Sequence, residues 1–366
     1  DGLVLGLAVD AVFLNPREDE FYPALLGCLR DALGPALRDA AEAARPHAIV
    51  ARTHLEPAAL VVDAGLAAVS DQYGFLLQIT PVNTAAAWAD FQASRCEQAP
   101  EFLYRPLTFD PDAVRRDLFA LPVDAVEDPV VAGLLRERRD EIEAQVRMML
   151  DRETGQFLPG SLRVYGAPDR PLVALAHEIL GHLDRQPPAS AGEEVVGATA
   201  FAAAARAEIA HYAERSEHVP LDVEIRDDIP GSLMVSSGRL LVGAAAQVPA
   251  RRVTALLAHE IGTHVLTYAN GRAQPLAQFH HGLAGYEDLQ EGLAVLSEWL
   301  VGGLTGGRFR TLAARVIGAH ALADGAPFVD TFRLLRETAG LSDRAAFTVT
   351  TRLYRGGGLT KDIVYL

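Results

Sequence analysis

His259, Glu260 and His264 stand in the order H-E-x-x-x-H within Ala258-His259-Glu260-Ile261-Gly262-Thr263-His264. Two imidazoles and a carboxylate this close together are the parts of a hydrolytic zinc site: neutral ring nitrogens bind the ion, and a carboxylate beside it moves protons. A second acidic stretch, Asp288-Leu289-Gln290-Glu291-Gly292-Leu293-Ala294, follows on what the pattern predicts as the next helix. Glu291 is the candidate third ligand. Three protein ligands leave a fourth zinc position open, as catalytic ions require and structural ions do not. About one Zn2+ per chain is expected. In this scheme Glu260 serves as general base on a water and then as general acid toward the leaving amine.

The spacing is unusual. Residues four apart share a helix face, whereas these histidines are five apart, which at 3.6 residues per turn separates them by about 140°. They can meet at one ion if the turn between them takes in an extra residue as a π-bulge, a distortion that favours functional sites. Gly262 would ease it, and Gly292 reads as room for close helix approach beside Glu291. His177-Glu178-Ile179-Leu180-Gly181-His182 repeats the pattern. Pro187-Pro188 and a loop follow it rather than a ligand helix, so it reads as a surface helix with chance histidines. His280 and His281 read as loop near the site, with His281 a candidate donor to substrate or oxyanion. Glu287 and Asp288 read as the N-terminal acids of a helix.

These groups need a scaffold, and 366 residues with 49% apolar side chains supply a large core. The net charge of −15 argues against a nucleic-acid or anionic-membrane binder, both of which want basic surface. Cys28 and Cys96 give neither a disulfide framework nor a thiolate cluster. With no apolar run read as a membrane span and no signal-peptide pattern, the expectation is a soluble cytoplasmic protein. The numbering opens on Asp1 rather than methionine, as expected of a piece of a longer chain.

Residues 1–14 read as an apolar strand and 20–45 as a helix ended by Pro46. This opening is similar to the tail of an N-formylglutamate amidohydrolase-like domain, so 1–56 is set apart from a catalytic domain at 57–366. In that domain helices are predicted over 57–70, 84–96, 110–119, 128–152, 171–183, 193–215, 286–301, 308–324, 328–339 and 342–354. Another, beginning at Pro249, carries His259. Strands are predicted over 74–81 and 221–226, with two short ones, or one bulged at Gly238, over 232–243. Arg136 to Glu141 reads as a solvated charged face.

Taken together, His259-Glu260-Ile261-Gly262-Thr263-His264-Val265-Leu266-Thr267, Gly282-Leu283-Ala284-Gly285-Tyr286, Gln290-Glu291-Gly292-Leu293-Ala294 and the closing Arg352-Leu353-Tyr354-Arg355-Gly356-Gly357-Gly358-Leu359-Thr360-Lys361-Asp362 carry a resemblance. Tyr104-Arg105-Pro106-Leu107 and Glu127-Asp128-Pro129 add to it. The chain from about residue 57 onward resembles the bacterial flavohaemoglobin expression-modulating QEGLA motif family, itself similar to the microtubule-associated tyrosine carboxypeptidases. The resemblance implies a zinc peptidase with His259, His264 and Glu291 as ligands and Glu260 as the catalytic residue. A carboxypeptidase must hold a free C-terminal carboxylate, for which arginine forks are suited. The candidates are Arg239, Arg352, Arg355 and Lys361, with Tyr354 as a further donor. The expected fold is α+β and mainly helical, a gluzincin-like zincin with a small sheet beside the active-site helix. The expected partner is a peptide or protein C-terminus. Aminopeptidase, maturation endopeptidase and non-catalytic regulator on the same fold are the alternatives.

Overall fold

Helix starts in this chain are written in aspartate and proline. Asp110 and Asp128 each accept two backbone N–H bonds of the following turn, Asp169 accepts one, and Pro111, Pro129 and Pro171 occupy first-turn positions where no N–H is needed. The computed structural model describes residues 55–183, 194–214, 222–229 and 233–366, with Cys28, Ala32 and Val219 besides. Apart from Cys28 and Ala32, the strand and helix expected over 1–14 and 20–45 lie outside them. The chain divides into two units, Asp1–Pro57 and Ala58–Leu366, and the second holds nearly all of the described residues.

Helices dominate. They are α1 Pro57–Ser70, α2 Phe75–Ile79, α3 Thr84–Ala93, α4 Pro111–Ala120, α5 Pro129–Leu150, α6 Phe157–Tyr165, α7 Arg170–His182 and α8 Ala198–Ala213. After the strands come α9 Val253–His259, a π-turn Glu260–Val265, α10 Leu266–Arg272, α11 Gln278–His281, α12 Tyr286–Leu300, α13 Gly306–Ala323, α14 Phe328–Thr338 and α15 Asp343–Tyr354. Short 3-10 segments close the chain at Arg355–Gly357 and Thr360–Tyr365. The strands are β1 Val195–Gly197, β2 Val223–Arg226, β3 Leu233–Ser236, β4 Arg239–Gly243 and β5 Gln247–Pro249. β4 lies between parallel β2 and antiparallel β3, and β1 pairs with β5 in a separate two-stranded ribbon. The fold is α+β and mainly helical.

Ser236 pairs with Arg239, so Ser237-Gly238 is a two-residue hairpin loop, and both residues have positive φ (48° and 73°). That is the primed turn whose twist matches paired strands. A bulge within one strand is therefore replaced by two strands and a tight turn.

Three cores hold these elements. Val62, Leu66, Leu118, Ile142 and Phe157 join α1, α4, α5 and α6. Phe91, Phe332 and Phe347 lock α3, α14 and α15 edge to face and tilted, and α7 and α13 join them through Ala176 and Ile317. Phe201, Ile209, Leu240, Val242, Ile261 and Val265 bind α8 and the sheet to the histidine segment.

Two expectations are corrected. Residues 75–79 form a helix, not a strand, because Phe75 and Ile79, four apart, bury one helical face together. The charged run of α5 is not all solvated: Arg138 is buried and pairs with Glu141 at 3.1 Å, while Arg136 reaches Asp124 at the surface. The stretch Pro57–Ala93 is apolar enough in composition to cross a membrane. It is broken, however, into helices of 14, 5 and 10 residues, short of the about 20 a span requires.

Candidate metal centre

The two histidines meet because the helix widens between them. Leu266 donates its N–H to the carbonyl of Ile261, five residues back, and the hydroxyl of Thr263 donates to Ala258 O at 3.4 Å. The imidazole centroids come to 5.0 Å. This is the π-turn expected from the five-residue spacing, but Gly262 does not enforce it. A Cβ at Gly262 would meet only the Tyr212 hydroxyl, at 3.9 Å.

The helix α12 delivers the third group. Glu291, Ala294 and Glu298 are its buried residues, three and seven positions apart along one stripe. Gly292 is not what brings this helix close, since a Cβ there would meet nothing within 4 Å; at Gly303 it would fall 2.2 Å from Ala255 Cβ on α9. Glu291 Oε2 lies 3.6 Å from His259 Nε2 and 3.5 Å from His264 Nε2. Donors about 2.1 Å from a tetrahedral ion stand about 3.4 Å from one another. That oxygen is buried and accepts no hydrogen bond among the described residues, whereas Oε1 accepts from the Tyr365 hydroxyl at 2.9 Å. Burial alone would raise the Glu291 carboxyl; His264 and then Lys361 bring it down to about 2. Burial would lower the His264 imidazole, but Glu291 and Glu260 leave it raised. The donor set fits a metal ion.

His259 is oriented from behind. Its Nδ1 faces Glu298 Oε1 at 2.9 Å, and Glu298 is fully buried. Arg252 Nη2 donates to Glu298 Oε2 at 2.8 Å, and Arg308 donates to both oxygens at 3.1 and 2.8 Å. Burial pushes the Glu298 carboxyl up, but His259, Arg308 and Arg252 hold it at about 2. It is ionised at neutral pH and can only accept, so the His259 proton resides on Nδ1 and the Nε2 lone pair is free for a metal. Glu298 went unnoticed in the sequence, although its seven-residue offset from Glu291 places it on the same helix face.

A cleft of about 540 Å3 opens onto this trio, with Glu260, the edge strand β3, Tyr73, Phe75 and His281 among its lining residues. Asp63 accepts from Ala277 N and Gln278 N at 2.7 and 3.0 Å, fixing α11 and with it His280 and His281. His281 faces Asp71 at 3.8 Å, and burial with the neighbouring His281 holds His280 down at about 4.

The remaining expected substrate residues separate. Lys361, Arg352 and Arg355 line the cleft. Lys361, the sole lysine, pairs with Glu287 at 2.5 Å. Arg352 gives both prongs to Asp362, Nε at 2.8 Å and Nη2 at 2.9 Å. Arg239 lies on the sheet between Asp222 and Glu224, each 3.8 Å away, and is not among the cleft-lining residues. Tyr354 is also absent from the cleft lining; its hydroxyl bonds Thr331 and the carbonyl of Ala326. Sequence reading missed Arg315, a lone charge in the buried run Leu312–Ala319 of α13, and the Asp362 it approaches at 3.7 Å. A single arginine in so apolar a run was the available signal.

His177 and His182 sit on a regular α-helix with both imidazoles exposed, and His182 Nδ1 lies 2.9 Å from the Glu178 carbonyl. Among the described residues the only group of three donors close enough for an ion is His259, His264 and Glu291.

The family model for the microtubule-associated tyrosine carboxypeptidase matches residues 89–366, which include His259, Glu260, His264, Glu291 and Glu298 but not Tyr73 and Phe75 of the cleft. No curated protein matches the chain.

Proposed function

The chain belongs to the microtubule-associated tyrosine carboxypeptidase family, and we propose that it is a zinc peptidase of zincin plan that removes the last residue of a peptide or protein. The observation that carries this reading is the bare Glu291 Oε2, buried between two imidazole nitrogens at 3.5 and 3.6 Å.

When bound by His259, His264 and Glu291, Zn2+ would polarise the scissile carbonyl and acidify a water. Glu260, next to His259 and lining the same cleft, takes the proton from the attacking water and returns it to the leaving amine. Glu298 keeps the His259 proton on Nδ1. The free edge of β3 beside the histidine segment accepts the extended substrate by main-chain pairing. The cluster of Arg315, Arg352 and Arg355 favours an acidic chain end over an amino terminus, which supports carboxypeptidase over aminopeptidase action.

The test is incubation of the zinc-loaded full chain with a pool of N-acetylated peptides of varied last residue, read by mass spectrometry. Loss of the final residue alone, abolished by Glu260→Gln with zinc retained, is expected. Internal cuts would replace this reading by an endopeptidase. A zinc-free purified protein that cannot be loaded would refute the metal centre.

A further inference from the structure

Arg315, Arg352 and Arg355 converge on one carboxylate, Asp362. Arg352 holds both of its oxygens in a fork, at 2.8 and 2.9 Å. The other two stand off: Arg315 Nε is 3.7 Å from Oδ2, and Arg355 Nη2 is 4.0 Å from Oδ1. Both are more than nine-tenths buried or at that limit, with 9% and 6% exposure. Arg315 leaves Nε and Nη1 without a hydrogen bond among the described residues, and Arg355 leaves Nε so. Burying donors of a charged group unpaired costs free energy unless a ligand answers them. Both line the cleft that contains His259 and Glu260.

Their place relative to the metal centre is set by Tyr365. The Arg315 guanidinium lies 4.7 Å over the ring of Tyr365, whose hydroxyl holds Glu291 at 2.9 Å and whose ring lies parallel to His259. One aromatic ring thus separates a cation from a metal ligand. A substrate's terminal carboxylate is only one residue from the bond cut in an exopeptidase, so its clamp must lie this near the ion. Burial brings Arg315 down to about 10, which leaves it charged at neutral pH.

We propose that Arg315 and Arg355 together take the terminal carboxylate of the substrate, while Arg352 serves Asp362 and does not bind it. This rests on the carboxypeptidase reading above and assigns its specificity. Lys361 is spent on Glu287, and Arg239 lies outside the cleft. Asp362 is a positioning residue that holds the fan of arginines open toward the ligand.

The experiment uses the zinc-loaded full chain carrying Glu260→Gln, so that bound peptides are not cut. Two pools of N-acetylated tripeptides with varied last residue, one ending in the free acid and one in the amide, are retained on the protein by ultrafiltration and counted by mass spectrometry. The acid pool should be retained about 10- to 100-fold over the amide pool, the range of a lost hydrogen bond to a charged group. Arg315→Met and Arg355→Met should each move that ratio toward one with zinc content unchanged, and Arg315→Lys should restore part of it. Should Arg315→Met fail to fold, Arg315→Lys and Arg355→Met carry the comparison. A ratio that survives these substitutions, or a parent that retains both pools alike or neither, overturns the clamp. Failure of the peptidase reading shows separately, as absence of cleavage by the chain with Glu260 intact.

Discussion

His259 and Glu298 form a buried pair, Nδ1 to Oε1 at 2.9 Å, in which the carboxylate is itself forked by Arg252 and Arg308. The pair leaves Nε2 of His259, the nitrogen that faces Glu291, as a pre-set acceptor, because the ring cannot rotate or change tautomer without abandoning Glu298. The imidazole is thus held by a carboxylate that two guanidiniums hold in turn.

Glu298→Gln should weaken zinc binding by about 10- to 100-fold, the usual effect of removing an outer partner of a ligand histidine. Competition with a chromogenic chelator measures it. Unchanged affinity would remove Glu298 from the site.

Tyr365→Phe keeps the ring beneath Arg315 and deletes only the hydroxyl that donates to Glu291 Oε1. A hydrogen bond to a charged group is worth about 2 kcal/mol. Urea unfolding of the zinc-free chain should show a loss of that order, and an unmoved midpoint would mean that Glu291 finds another donor.

Two glycine substitutions should behave oppositely. Gly262→Ala meets only the Tyr212 hydroxyl, at an ordinary 3.9 Å, and favours the helix, so stability should hold or rise by up to about 1 kcal/mol, with zinc binding kept. Gly238→Ala forces a side chain into φ of 73° with its Cβ 2.3 Å from the Tyr268 ring, and should cost about 2 kcal/mol or more. Thermal melts of the two variants decide it.

Asp362 sets an acid limit. Burial would raise its carboxyl, but Arg352 and Arg315 hold it well below the usual range. A depressed folded pKa contributes stability above the unfolded value of about 3.9, and this is lost as pH falls further through the folded pKa. The urea midpoint should therefore drop below pH 4. Asp362→Asn should cost about 3 to 5 kcal/mol at neutral pH, because the arginines lose their counter-ion, and should flatten that acid limb.

That His259, His264 and Glu291 converge was legible because their types and spacing form a donor set, and the five-residue gap already required a widened turn. Glu298 was legible in principle, by its helix face, but a lone glutamate on a predicted helix looks like surface until burial is known. Arg352 and Tyr354 show the converse. Their types suited the substrate, yet the side chains had been committed locally, to Asp362 and Thr331, by contacts that spacing does not encode. Residues 75–79 failed for a simpler reason: over five apolar positions, strand and helix bury the same residues, and packing arbitrates.

The helix that carries Glu291 and Glu298 is inverted. Its inner stripe is two carboxylates and an alanine, while Leu289 and Leu300 are 71% and 69% exposed on the outside. Apolar burial, which anchors most helices, contributes little to holding its inner face in place, so ionic contacts must do so. Its backbone amides should then be among the first to exchange with deuterium when the ion is stripped, ahead of α13 beside it. On the zinc reading proposed above, occupancy of the centre and order of the helix that carries Glu291 would become one equilibrium.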